Sequence, residues 1–183
     1  MFLQPTTCCP HFTRATESQI QKNHEHLARQ GLGNAGDIFD RLLSAVGLDR
    51  NEDCFITNIT HCRPSQNRTP TIKETTNCSY VLMSEIQLIK PSVIFTLGGV
   101  ASSFLLGKPK VYMKTDNGKL LRNQRISVLT GKDTLIVPVV HPAYVLRAKD
   151  EPEKMREGKR MMGDAVRGGL RAINHPKLKE RAQ

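Results

Sequence analysis

The chain has 183 residues, 38% hydrophobic and 24% charged, a balance that fits one folded domain and excludes a disordered or fibrous protein. No apolar run approaches the roughly 20 residues of a membrane span. The opening MFLQPTTCCPHF lacks the basic flank and apolar core of a signal peptide, so a cytoplasmic protein is expected. Lysine and arginine total 27 against 17 acids, and the resulting +10 favours a polyanionic partner, nucleic acid before an anionic membrane surface.

In chain order, GNAGDIFDRLLSAVGL (Gly33 to Leu48) opens with glycine and then sets Ile38, Leu42, Leu43 and Val46 at helical spacing. DCFITNI is a short β-branched run that predicts a strand ending near Asn58. HCRPSQNRTP, from His61 to Pro70, reads as a polar loop. A helix is predicted from Lys73 to Ile89, stopped by Lys90-Pro91. SVIFTLGG is a buried strand closing on Gly98-Gly99, and VASSFLLG begins a helix with small residues in its first turns. Residues 108–133 are less regular, with a hairpin predicted around Asn117-Gly118.

The run Leu135 to Val140 does not alternate with polar residues, so it reads as a strand covered on both faces. It ends on His141, and in open α/β sheets chemistry collects just beyond the carboxyl ends of the strands. A turn histidine is the plainer account of an isolated His-Pro. From Arg147 onward there are 11 Lys or Arg against 6 Asp or Glu, half of the net charge. MREGKRMMGDAVRGGLRAI predicts an amphipathic helix weakened by four glycines. Strands alternating with helices indicate one α/β domain, a three-layer α/β/α sandwich about a mainly parallel four-stranded sheet, with a basic helix and tail over residues 148–183.

Three segments, taken together, resemble the uracil-DNA glycosylase superfamily, most closely its family 4. FITNITHCRPSQNRTPTIKETTNC is similar to that family's Thr-Asn, Cys-Arg-Pro and Asn-Arg-x-Pro stretch. IQLIKPSVIFTLGGVASSFLLG resembles its strand-Leu-Gly-helix unit, and HPAYVLR its His-Pro-[Ala/Ser]-Tyr-x-Leu-Arg. GNAGDIFDRLL is a weaker fourth match. The family's first motif, Gly-Glu-Ala-Pro-Gly followed by Pro-Phe-Val-Gly, has no counterpart string in residues 1–32, a divergent segment. Either Gln4-Pro5-Thr6 is a remnant of it, or Glu17-Ser18 takes its place.

The resemblance implies a monofunctional DNA glycosylase that flips a pyrimidine from DNA, hydrolyses its N-glycosidic bond and leaves an abasic site. His141 would donate to the base's O2, and Asn58 would read the base edge through its amide. A carboxylate, Asp37 or Glu17, would orient the water, and Asn34 would position it through its amide; Asp37 with Asn34 is the expected pair, though Asp37 is equally a first-turn acid favoured by the helix dipole. Gly33 lies at the base pocket, and Gly31 stands where the family's stacking Phe falls. That glycine implies an enlarged base, such as a modified cytosine or uracil of phage DNA, unless Phe12 fills the gap. Arg63, Arg68, Lys73, Gly98, Gly99, Pro142, Ala143, Tyr144, Arg147 and Lys149 would meet DNA, with Val145 or Leu146 as the wedge.

Five cysteines are present, an odd count that argues against a disulfide framework. By resemblance Cys62 and Cys78, sixteen residues apart, fit two ligands of a [4Fe–4S] cluster, with adjacent Cys8 and Cys9 in place of the family's Cys-x-x-Cys. Cys54 is a substitute ligand or core. His24 and His26 form a His-x-His more consistent with a polar surface than a metal site. The expected protein is a monomer acting on DNA in repair or phage defence. The alternatives are an ordinary uracil-DNA glycosylase and a glycosylase-like DNA-binding protein without catalysis.

Overall fold

The computed structural model describes Phe2–Gln4 and residues 34–60 and 68–176. Four strands form one parallel sheet in the order β2-β1-β3-β4, with β1 Phe2–Gln4, β2 Ile56–Asn58, β3 Val93–Leu97 and β4 Leu135–Val139. The helices are α1 Asn34–Val46, α2 Ile72–Ile89, α3 Gly99–Leu106, α4 Met113–Asp116, α5 Gln124–Thr130, α6 Pro142–Arg147 and α7 Pro152–Ala172.

Strand periodicity divides the core. Val93, Phe95 and Leu97 of β3, with Leu135, Val137 and Val139 of β4, face Phe39, Leu43, Met162 and Val166 of α1 and α7. On the opposite face Ile94 and Ile136 meet Leu82 and Ile86 of α2, Leu105 of α3 and Ile126 of α5. The result is the expected three-layer α/β/α sandwich. Pro138, which has no N–H to give a ladder, is accommodated because β4 closes the sheet.

The helix expected at the basic end is formed as α7, and three of its four glycines have a packing role. Gly158, Gly163 and Gly169 are buried, and a Cβ on Gly169 would lie 2.6 Å from the Phe95 ring. The missing side chain of Gly169 lets the 21-residue helix sit close against the sheet, and that of Gly158 lets α6 approach. At the other end of the described chain, β1 is only three residues long, and Gln4 pairs with Asn58 in register. Pro5 and Thr6 lie outside the described residues.

The hairpin expected around Asn117-Gly118 is not formed. Residues before it make α4, Gly118 turns with φ of 77°, and its N–H donates to the Pro138 carbonyl. Leu121 then exchanges two hydrogen bonds with Ile136, so the segment is stitched to the edge of β4 rather than to itself. No helix among the described residues is long and apolar enough to cross a membrane.

Candidate active site at the carboxyl edge of the sheet

All four strands point the same way, so Asn58 at the end of β2, Gly98 after β3 and His141 after β4 come to one edge. The edge strands β2 and β4 stand three strand spacings apart, about 14 Å. His141 folds back towards the middle: a Cβ placed on Gly98 would be 3.3 Å from His141 Cβ and 3.7 Å from its Cδ2. His141 thus sits beside the end of β3, on the same carboxyl edge of the sheet as Asn58.

His141 is the N-cap of α6, and its Nδ1 accepts the Ala143 N–H at 3.0 Å. Pro142 follows at the first helical position, where its missing N–H costs nothing. An Nδ1 that accepts must be unprotonated, so the neutral ring carries its proton on Nε2. Burial, and then the positive charge of Arg147, hold the imidazole pKa below its ordinary value. The site thus presents a neutral Nε2–H donor at physiological pH.

Asn58 is 4% exposed, and its Oδ1 is buried without a hydrogen-bond partner among the described residues. An orphaned buried acceptor is costly, and a ligand that donates to it removes the cost. Thr60, two residues on, has a hydroxyl in the same condition. It carried no sequence signal beyond its place in the Thr-Asn segment.

Behind β2, the Thr57 hydroxyl donates to Glu85 of α2 at 2.5 Å, and Glu85 is fully buried. Burial pushes the Glu85 carboxyl up to about 7, with the Thr57 bond opposing that rise. On the other side, Asn117 ties the strand end down. Its Oδ1 accepts the Val140 N–H at 2.8 Å, and its Nδ2 donates to the Met161 carbonyl at 2.9 Å. Neither Glu85 nor Asn117 was anticipated as part of the site's support.

The segment Tyr144 to Arg147, expected as a DNA-facing loop, is helical. Val145 is 1% exposed and belongs to the core, which removes it as a wedge and leaves half-buried Leu146. Pro142 is buried, Ala143 half-buried, and Tyr144 and Arg147 exposed. Arg68 is exposed, but both guanidinium nitrogens bind the Glu74 carboxylate, at 2.8 and 2.7 Å, within the capping box of α2. Lys73 and Lys149 are exposed, and Gly99 begins α3. Asp37 is exposed in the first turn of α1, and Asn34 is that helix's first residue.

Gly31, Gly33, Arg63, Cys8, Cys9, Cys62, Phe12, Glu17, His24 and His26 lie outside the described residues. Of the expected cluster ligands only Cys78 is described, buried on α2. Among the described residues no group of three His, Cys, Asp or Glu is arranged to hold a metal. Cys54 sits in the core, and burial drives its thiol up to about 11, away from the thiolate a cluster needs.

The sequence matches the Uracil DNA glycosylase superfamily over residues 11–162. It is 36% identical over 126 residues to a type-4 uracil-DNA glycosylase of Thermotoga maritima, covering 69% of this chain and 62% of that protein. To the type-4 uracil-DNA glycosylase of Archaeoglobus fulgidus it is 35% identical over 118 residues, 63% of this chain and 57% of the relative. To that of Saccharolobus solfataricus it is 36% identical over 126 residues, 68% and 57%. The match therefore spans less than two thirds of each of these relatives. Because it runs through Asn58, Gly98 and His141 alike and takes in all but the ends of the chain, the protein belongs to the uracil-DNA glycosylase superfamily.

Proposed function

We propose that the chain is a monofunctional DNA glycosylase that hydrolyses the N-glycosidic bond of a flipped-out pyrimidine and leaves an abasic site. The observation that carries this reading is the pairing, on one sheet edge, of a neutral imidazole protonated at Nε2 with a buried amide oxygen that lacks a partner among the described residues. The Nε2–H meets a base O2, and Asn58 Oδ1 accepts from the N–H of the base's pairing edge.

As the C1′–N1 bond breaks, its electron pair stays on the base and negative charge gathers at O2. The His141 hydrogen bond strengthens there, a contribution of about 3 kcal/mol for a well-placed donor. Water adds to C1′, loses one proton to solvent and leaves the sugar hydroxyl. Asp37 and Asn34, at the start of α1, are the proposed water-positioning groups. Arg63, Ala143, Tyr144, Arg147 and Lys149, with the Gly98-Gly99 turn, are the proposed DNA contacts, Leu146 the wedge. Arg68 contributes only if Glu74 releases it.

The base is proposed to be larger than uracil, a modified cytosine or uracil, on the strength of Gly31 at the stacking position. The relatives' names favour uracil itself. A [4Fe–4S] cluster on Cys8, Cys9, Cys62 and Cys78 is proposed as a structural element, tested by brown colour and by iron and acid-labile sulfide content. The deciding assay incubates duplexes containing uracil or 5-substituted pyrimidines with protein, then heats them in alkali. Strand cleavage that disappears in His141→Ala supports the enzyme, and the relative rates decide the base. Salt-sensitive binding with every strand left intact would make it a binding protein instead.

A further inference from the structure

We propose that the groove between α2 and α3 is a track for single-stranded DNA running on from the flipped nucleotide. The proposal takes its polymer from the glycosylase reading and adds a second binding surface to it. The groove is open, about 680 Å³, and includes Ile72, Val100, Phe104, Lys108 and Lys110 in its lining. Gly99 and Val100 start α3 immediately after Gly98, so the groove opens beside His141.

Its wall is held in place before any ligand arrives. The Lys108 N–H donates to the Ser103 carbonyl at 3.0 Å, and the Val111 N–H to the Ser103 hydroxyl at 2.9 Å. Gly99 lets this segment come close, since a Cβ there would lie 3.1 Å from the Val111 carbonyl oxygen.

The groove combines apolar surface with lysines that stand outside any salt bridge among the described residues. Ile72, in the lining, is 86% exposed; Tyr112 stands outside the lining, next in sequence to Val111, is 56% exposed, and has the Lys110 ammonium 4.8 Å from its ring centroid. Lys108 and Lys110 form no salt bridge among the described residues. Of the neighbouring acids, Glu74 is bound by Arg68, and Asp116 is bound by Lys119 while also lying in the field of Lys108. Cations that follow a phosphate backbone, with aromatic and apolar side chains for base faces, are what a single strand binds. A duplex keeps those faces stacked and gives Ile72 and Tyr112 nothing to cover.

The test compares wild type with Lys108→Glu/Lys110→Glu and with Ile72→Ala/Tyr112→Ala, all surface changes. Excision is measured on a trinucleotide and on single strands lengthened to either side of the target base. Wild type gains kcat/KM with length on one side, and both double variants lose about tenfold of that gain while trinucleotide excision is unchanged. Direct binding of an oligodeoxyadenylate of about fifteen nucleotides, which holds no pyrimidine, is followed by fluorescence anisotropy. There the charge-reversal variant flattens the salt slope by roughly 1.4, two phosphates' worth. Failure of glycosylase activity leaves this binding arm standing. The proposal falls if the variants bind oligodeoxyadenylate as wild type does, or if they lose equally on the trinucleotide.

Discussion

Gly98 lies beneath His141, with room for a hydrogen where a Cβ would stand 3.3 Å from the histidine Cβ. Its φ of 86° and ψ of 165° are open to glycine and strained for other residues. Gly98→Ala therefore meets two penalties, a backbone strain of about 1–3 kcal/mol and displacement of the imidazole. The ring has to give by a few tenths of an ångström, and since a misplacement of about 1 Å costs on the order of 10²-fold in rate, a loss of several-fold is expected. Thermal unfolding and single-turnover excision should both register the change, and a variant with the wild-type rate would show that the ring has slack.

The Ala143 N–H bond to His141 Nδ1 leads to a pH prediction. The histidine pKa is depressed in the fold, so its contribution to stability is complete above the unfolded value near 6.5 and is lost as the pH falls through the folded value. Protonating Nδ1 also removes the cap of α6. The excision rate should be independent of His141 ionisation from about pH 7 upward and decline on the acid side, below about pH 6.5. A rate that rises with acidity in that range would require the imidazolium and contradict the neutral donor.

Asn117 marks where the sequence is legible and where it is not. His141 and Asn58 can be found because strand ends follow from apolar runs, and motif order then singles out the polar residue at each end. Asn117 looks like half of a turn, since Asn-Gly is a hairpin signal. Its partners Val140 and Met161 are 23 and 44 residues away, beyond any local pattern. The same holds for Glu85, whose significance comes only from burial against Thr57, 28 residues away. Asn117→Ala leaves the Val140 N–H without its partner, a cost of about 1–3 kcal/mol. Because that N–H directly precedes His141, kcat should fall more than KM rises, whereas a purely structural loss would lower Tm alone.

Two neighbouring glycines of α7 should behave oppositely. A Cβ on Gly169 would be 2.6 and 2.8 Å from Phe95 ring atoms, while one on Gly168 meets nothing within 4 Å. Gly168→Ala should stabilise by up to about 1 kcal/mol through helix propensity. Gly169→Ala must push α7 off the sheet or turn Phe95 from its rotamer, at a cost of about 1–3 kcal/mol. Denaturant unfolding of the two single variants decides it, and equal behaviour would mean that α7 is not seated as closely as Gly169 implies.

Glu85 gives the protein a stability limit on the alkaline side. Its carboxyl is raised from 4.5 to about 7 by burial, so the protonated form is the one the fold accepts. A raised carboxyl contributes stability that is fully present below the unfolded pKa and lost as the pH rises through about 7. The Thr57 hydroxyl accommodates one oxygen, at 2.5 Å, and the other is buried without a partner among the described residues. Ionisation therefore leaves a poorly compensated charge directly behind the strand that ends in Asn58. Glu85→Gln retains an acceptor for Thr57 and cannot ionise. It should match wild type near pH 4.5 and exceed it above about pH 8 by on the order of 3 kcal/mol, the full linkage of the shift. Urea melts across that range measure the difference directly, and parallel curves for the two proteins would show that Glu85 is not what titrates.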